Sequence, residues 1–439
     1  MDRLRILHVI DPGAAGGGGI ALRQLAGPLR RISSVDQRTV ILGGRRHARL
    51  ARRCGVVPDG LVPTTIGLAI SAGRPLRRLI EAWERTDGPF DLFHGWTLGS
   101  AMALAAAVPG RRILASASIG PVSEPGLIAL RRAADRHPVP MLVPSRSVRR
   151  EYIAAGFPAE HVSVLPPGVD PELVDPDARN RLRHRWNVGR GTVVVGLLGS
   201  PMAWADARVA ADVVGRLAVS GRRVKLLVHP GAARRLAGRR WLQDLGIESV
   251  MDLEDGLAEP WTMLPGCDVA MMTATGSVRL DDPELRPYGL RGWLLGGDRC
   301  GPSVPGVGPA LWAMAAGVPL VADAAPAFAE LIEDGITGLL VPPGDHIAAA
   351  DRIGRLHDDH ALRATMATKG RERVAQTFHI GAFCVRVRDA WQRMSRDEPV
   401  HIAPSATEIE AGVNELVPAS LDRFDASAGV WRDESVERD

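Results

Sequence analysis

Lysine is nearly missing from this chain. Lys225 and Lys369 are the only two, so arginine carries almost all of the positive charge. Aromatic residues are also scarce, at 4% against 46% hydrophobic residues overall. Leu, Val, Ile and Ala must therefore fill any core. The cysteines (Cys54, Cys267, Cys300 and Cys384) are far apart, with no C-x-x-C pair. That spacing argues against a disulfide framework or a cysteine zinc site and fits a reducing compartment. No apolar run reaches the ~18–20 residues of a membrane helix. The first apolar run, from Ile6 to Ile10, is too short for a secretory signal and lacks a small-residue cleavage site. The expected location is cytoplasmic.

What is present suits a multidomain globular protein. A length of 439 residues suggests two to three domains. The formal net charge of +4 hides an asymmetry. From Pro399 onward the chain is acidic, with a net charge of −6, which leaves the preceding body near +10. A basic body favours polyanionic partners such as nucleotide diphosphates or anionic lipid surfaces.

Short apolar runs alternate with helical patterns. Ile6 to Ile10 has the continuous apolar character of a buried parallel strand. It leads through Asp11-Pro12-Gly13 and the run Gly16 to Gly19 into a helical pattern from Ile20 to Ala26. Strand, glycine loop and helix form the opening unit of a doubly wound sheet. Further strands are predicted at 39–42, 91–95, 112–116, 141–144 and 162–165. Residues 171–190 are polar and arginine-rich and have the composition of a linker. A second series then starts at Thr192 to Leu198, with strands at 224–229, 249–252, 269–272, 319–322 and 338–341. Helices are predicted at 310–316, 328–333, 346–357, 360–378 and 381–396. The tail 399–439 shows no sustained period and is expected to be disordered, with room for one short helix over Glu408 to Leu416.

Three segments carry a family resemblance. The first is Leu142-Val143-Pro144-Ser145 through Val164-Leu165-Pro166-Pro167-Gly168-Val169-Asp170. The second is Ala313-Met314-Ala315-Ala316-Gly317-Val318-Pro319-Leu320-Val321. The third runs from Glu330 to Gly335 and from Thr337 to Asp345. Together they resemble the group 1 glycosyltransferases, retaining enzymes of GT-B fold, over roughly residues 4 to 396. The resemblance implies an α/β chain: two Rossmann-like domains with parallel sheets facing across a cleft. It places an acceptor-side domain at 1–175, a nucleotide-sugar-side domain at 190–380, and a last helix, 381–396, crossing back to the first domain. It also implies a nucleotide-diphosphate-sugar substrate and no metal or other cofactor.

Candidate site residues follow from both sources. Gly16, Gly17 and Gly18 allow backbone N–H groups to approach a phosphate or sugar ahead of a helix N-terminus; a flexible turn is the plainer alternative. The resemblance places His94 near the transferred sugar, as the catalytic candidate. Trp96 lines an acceptor pocket or packs. Gly199 and Ser200 stand at the diphosphate loop, where relatives carry Gly-Arg followed by a lysine. Ser200 replaces that arginine, and the lysine is missing. The two glutamates of the family's E-x7-E pattern fall at Val304 and Trp312, neither of which accepts a hydrogen bond from a sugar hydroxyl. Gly306, Gly308 and Pro309 retain the character of a helix N-terminus. Asp281, Asp282, Glu284 and Arg299 are candidate substitutes for the lost charges, although such residues more often form a solvated surface loop. Two arginine-rich stretches remain, Arg45 to Arg53 and Arg74 to Arg85, and the second offers a peripheral contact with the inner membrane face. For the second stretch, a helix burying Leu79 and Trp83 is the favoured reading.

Two functions fit this pattern. The leading one is transfer of a sugar from a nucleotide-diphosphate donor to an acceptor of unknown kind (glycan, lipid or small molecule), without nucleic acid. The alternative is a catalytically degenerate relative acting as a glycan- or partner-binding scaffold.

Overall fold

Thirteen short apolar runs build two parallel sheets in the computed structural model, which describes residues 3–11, 25, 28–32, 34–53, 55–64, 69–117, 139–197, 204–228, 250–252, 260–273, 308–400, 423–425 and 430–432. The chain divides into two compact units, with boundaries at Gly168/Val169 and His379/Ile380.

The first unit holds β1 (Leu4–Ile10), β2 (Val35–Leu42), β3 (Gly60–Val62), β4 (Leu92–Gly95), β5 (Ile113–Ser116), β6 (Met141–Val143) and β7 (Val162–Val164). They pair in the order β3-β2-β1-β4-β5-β6-β7, all parallel. Strands covered on both faces must be apolar throughout, and the last five residues of β1 are all buried. Its helices are α1 (Arg45–Arg53), α2 (Gly73–Asp87), α3 (Leu98–Ala107) and α4 (Arg146–Ala154). Thr97 and Ser145 cap α3 and α4 through their side-chain oxygens. In α2 the buried pair is Leu76 and Ile80, one turn apart, rather than Leu79 and Trp83, which are only half-buried. Trp83 instead lies edge-on to Phe90, with the Arg38 guanidinium over its ring.

The second unit begins with α5 (Ala178–Arg185), followed by β8 (Val193–Leu197), α6 (Trp204–Val219), β9 (Val224–Val228), β10 (Val250–Asp252), α7 (Pro260–Met263) and β11 (Val269–Met272). It continues with α8 (Gly308–Ala315), β12 (Leu320–Asp323), α9 (Pro326–Leu331), β13 (Gly338–Val341), α10 (His346–Asp358) and α11 (His360–Thr377). Its sheet order is β10-β9-β8-β11-β12-β13, again parallel. Asp345 and Asp359 cap α10 and α11. The matched segment Ala313 to Val321 has a plain structural reason. Gly317 takes φ +67 just past α8, and the N–H groups of Gly317 and Val318 bond the carbonyls of Met314 and Ala313. A left-handed residue there ends the helix and turns the chain into β12.

Residues 171–190 differ from the expected linker. Leu182 of α5 and Trp186 just beyond it are buried in the second unit's core with Leu264, Cys267 and Met272. The many polar residues of α5 mask its apolar contacts in sequence; two of them, Arg179 and Arg183, pair with the buried Asp268. The last helix, α12 (Ile380–Ser395), belongs to the first unit. Phe383, Cys384, Val387 and Trp391 are buried with Ile6, Leu92 and Leu142. Its end is tied down by an ion pair between Arg112 and Asp397 and by Ser163 Oγ–H donating to Val400 O (2.6 Å). Of the tail beyond Val400, the structure describes only two three-residue strands. Arg423–Asp425 and Val430–Arg432 pair antiparallel, with Phe424 in register with Trp431. The short helix expected over Glu408 to Leu416 lies outside the described residues.

Candidate active site

In an open parallel sheet, ligands bind beyond the carboxyl ends of the strands, where the strand order reverses. In the first unit that point lies between β1 and β4. The end of β1 leads at Asp11 toward the glycine run. The end of β4 is Gly95, followed by Trp96 and Thr97. Gly95 is required there, because a Cβ would stand 2.6 Å from the backbone of Ala101 in α3.

His94 sits at this switch point. It pairs in register with His8 of β1, so the two side chains share one face of the sheet. Both are 0% exposed. Their hydrogen bonds form two closed chains. Trp391 Nε1–H, from α12, donates to His94 Nδ1 (3.1 Å), and His94 Nε2 lies 2.8 Å from Ser116 Oγ. Trp96 Nε1–H donates to His8 Nδ1 (3.1 Å), and His8 Nε2 lies 3.1 Å from Gln37 Oε1. Gln37 Nε2 donates in turn to Leu29 O (2.7 Å). An indole N–H can only donate, so each histidine accepts at Nδ1 and carries its proton at Nε2. The rings also pack: His94 stacks on Trp96 with centroids 4.1 Å apart, and His8 lies 5.3 Å from Trp391. Burial lowers the His8 pKa to about 3. It also lowers His94 well below the usual imidazole value, helped by the charge His8 would carry. Both stay neutral at physiological pH.

The structure therefore places His94 inside the core, with both ring nitrogens already bonded within the chain. Substrate contact would require a rotation of this ring or a movement of Trp391. Trp96 is likewise buried, as a partner of both histidines. His8, Gln37 and Trp391 escape sequence reasoning. Trp391 is separated from His94 by 297 positions, and His8 lies within an apolar strand run.

In the second unit the order reverses between β8 and β11, whose ends are in register at Leu197 and Met271. The chain leaves these neighbouring strands at Leu197 and at Thr273, toward the two segments that hold Gly199, Ser200, Asp281, Asp282, Glu284 and Arg299. Those six, with Gly16, Gly17, Gly18 and Gly306, lie outside the described residues. Gly308 opens α8 and is buried, with Pro309 in the first turn. Trp312, at the second position of the altered E-x7-E pattern, packs against Trp261 with centroids 4.3 Å apart and the rings tilted by 39°. It belongs to the unit's apolar core, which explains how α8 stays packed without a carboxylate there. Among the described residues, no group of three or more His, Cys, Asp or Glu side chains is arranged to hold a metal ion. No helix among them is long and apolar enough to cross a membrane.

Comparison with known proteins agrees with this architecture. Residues 15–173 match the family described as Glycosyltransferase Family 4, and residues 309–373 match Glycosyl transferases group 1. A GDP-mannose-dependent α-(1-6)-phosphatidylinositol monomannoside mannosyltransferase of Mycolicibacterium smegmatis is 30% identical over 325 residues, covering 70% of this chain and 77% of that protein. A D-inositol 3-phosphate glycosyltransferase of Stackebrandtia nassauensis is 28% identical over 247 residues, covering 54% of this chain and 50% of that protein. Among solved structures, Anabaena HepE in complex with UDP and glucose superposes with a TM-score of 0.66 at 20% identity, covering 89% of this chain and 100% of that one. With two Rossmann-like parallel-sheet domains of GT-B type and matches in both halves, the chain belongs to the group 1 glycosyltransferases, enzymes that transfer a hexose from a nucleotide sugar.

Proposed function

We propose that this protein transfers a hexose from a nucleoside-diphosphate donor to an acceptor that carries an inositol phosphate, free or within a lipid. The observation that carries this reading is the 30% identity over 77% of a mannosyltransferase that acts on a phosphatidylinositol mannoside. The Stackebrandtia relative, named for an inositol phosphate acceptor, supports the same class. GDP-mannose is accordingly the first donor to try.

The surface of the first unit supports a lipid-borne acceptor. Arg45, Arg49 and Arg52 on α1, and Arg74 and Arg78 on α2, are exposed. Between the two helices, Val57 and Leu61 are 61% and 38% exposed. Arginines beside exposed aliphatic side chains suit an anionic bilayer surface, such as an inner membrane face. The family resemblance assigns no metal to the reaction. The leaving diphosphate is then stabilised chiefly by backbone N–H groups.

The test is direct. The full chain is incubated with GDP-mannose, and separately with UDP-glucose, plus either inositol phosphate or phosphatidylinositol vesicles. Gain of one hexose on the acceptor, read by mass spectrometry, is the expected result. Hexose transfer only to acceptors without an inositol phosphate would overturn the acceptor class. A second reading, a binding relative without turnover, draws on Trp312, which lies buried where the family carries a carboxylate. Tight donor binding with neither transfer nor hydrolysis would favour it.

A further inference from the structure

An open cavity of about 220 Å³ lies in the second unit, lined among others by Arg179, Asp268, Gly317, His360, Arg363 and Ala364. Asp268 immediately precedes β11 and Pro319 precedes β12, so the cavity opens at the amino ends of these strands. Donor nucleotides of open α/β sheets bind at the opposite, carboxyl ends.

The charges here do not balance. Among the described residues Asp268 is the one carboxylate lining the cavity, and it is already saturated. Its Oδ1 accepts from Arg179 (2.5 Å), and its Oδ2 accepts from Arg183 (2.7 Å) and from the Val194 N–H (2.8 Å). Arg363 has no carboxylate within ion-pair reach among the described residues. Among the described residues its guanidinium donates to Leu356 O (2.7 Å) and to His360 Nδ1. That bond leaves the His360 Nε2–H as a further donor. The Arg371 guanidinium lies over Gly317 at the rim, also without a carboxylate partner among the described residues. Asp359, next to His360 in the chain, caps α11 by accepting from the Leu362 N–H (2.8 Å). The helix begins at His360, so its positive end adds to the same field. Half-burial lowers the Arg363 pKa, and the nearby charges of Arg179 and Arg183 add to that effect while Asp268 opposes it. The cluster therefore holds guanidinium groups close together with fewer negative charges than it needs. The cavity volume far exceeds the ~30 Å³ share of one water. Arginine forks match the oxygen geometry of a phosphate group.

We propose that this cavity binds a phosphate-type oxyanion, at a site separate from the one that binds the donor. The ligand bridges Arg363 of α11 to Arg179 of α5, and so ties the segment after Val169 to the helix before the second boundary. The shared chemistry is a dianionic phosphate, either free or as the monoester of a sugar.

The test uses the full chain with inorganic phosphate and, separately, a hexose phosphate, by isothermal titration. Saturable binding of at least one is expected. Ala364 is exposed on the cavity wall, so Ala364→Glu adds a carboxylate without disturbing the core. Ala364→Glu is expected to weaken binding at least tenfold, while Ala364→Gln stays near the parent value. Arg363→Gln is expected to reproduce the loss. Binding unchanged in Ala364→Glu, or no binding of either anion to the parent chain, would overturn the proposal. Thermal unfolding of each variant in phosphate-free buffer separates a lost site from a lost fold.

Discussion

Lowering the pH from 7.5 to 5.5 should destabilise the first unit by about 3 kcal/mol, through two histidines alone. His8 and His94 are fully buried and neutral, with folded pKa values held far below the ordinary imidazole value by desolvation. Their sites in the unfolded chain titrate near 6.5. The unfolded state therefore binds more protons as pH falls below 6.5, and stability falls with it. The stability is fully present above that value and is lost progressively as pH drops toward the folded pKa of about 3 for His8. Over the stated interval each histidine contributes roughly 1.4 kcal/mol, a sizeable share of the ~5–15 kcal/mol typical of a folded protein. In the second unit His379, lowered to about 4 by burial, adds a similar amount. Asp268 and Asp397, whose carboxyls are held below their ordinary range, add their own losses only at more acidic pH. Trp96 and Trp391 touch the two rings, so tryptophan fluorescence during urea unfolding reports on the right place. The His94→Gln variant should lose about half of the first unit's acid sensitivity, because one of two protonation sites is gone. A first-unit transition that moves by less than about 1 kcal/mol over this interval would refute the buried-neutral assignment.

Other perturbations test neighbouring parts of the account. Trp391→Phe keeps an aromatic ring but leaves the buried His94 Nδ1 without a donor, and should cost about 1–3 kcal/mol in urea unfolding. Asp268→Asn frees Arg179 and Arg183 from their shared, largely buried carboxylate and should cost about 3–5 kcal/mol in the second unit's transition. Arg49→Gln or Arg52→Gln should weaken co-sedimentation with anionic vesicles by about fivefold each, since a surface arginine is worth ~1 kcal/mol there, while neutral vesicles bind neither form. EDTA should leave the transfer rate unchanged; a loss restored by a divalent ion would contradict the metal-free reading.

Much of the architecture is legible in the sequence because parallel strands are buried on both faces. Runs such as Ile6 to Ile10 and Val193 to Leu197 are continuously apolar and stand out from the helical patterns between them. β3 is harder to see, since Gly60–Val62 is three residues long and Leu61 is partly exposed. α5 is hidden because Arg, Asn and His make up most of its sequence, and only Leu182 and the neighbouring Trp186 reveal an apolar contact. The strand ends at the two switch points are legible in the sequence, but the enclosure of His94 depends on Trp391, which the chain's return to the first unit brings in. Trp312 shows the opposite case. The sequence shows a carboxylate missing, and only the contact with Trp261 shows what the indole does instead.

The central claim is that this chain handles nucleotide sugars, and isothermal titration of the intact protein with GDP-, UDP- and ADP-sugars tests it most directly. Saturable binding of at least one donor, with GDP-mannose first in order, is the result the account predicts. Absence of binding to all three classes by protein that unfolds cooperatively would contradict it.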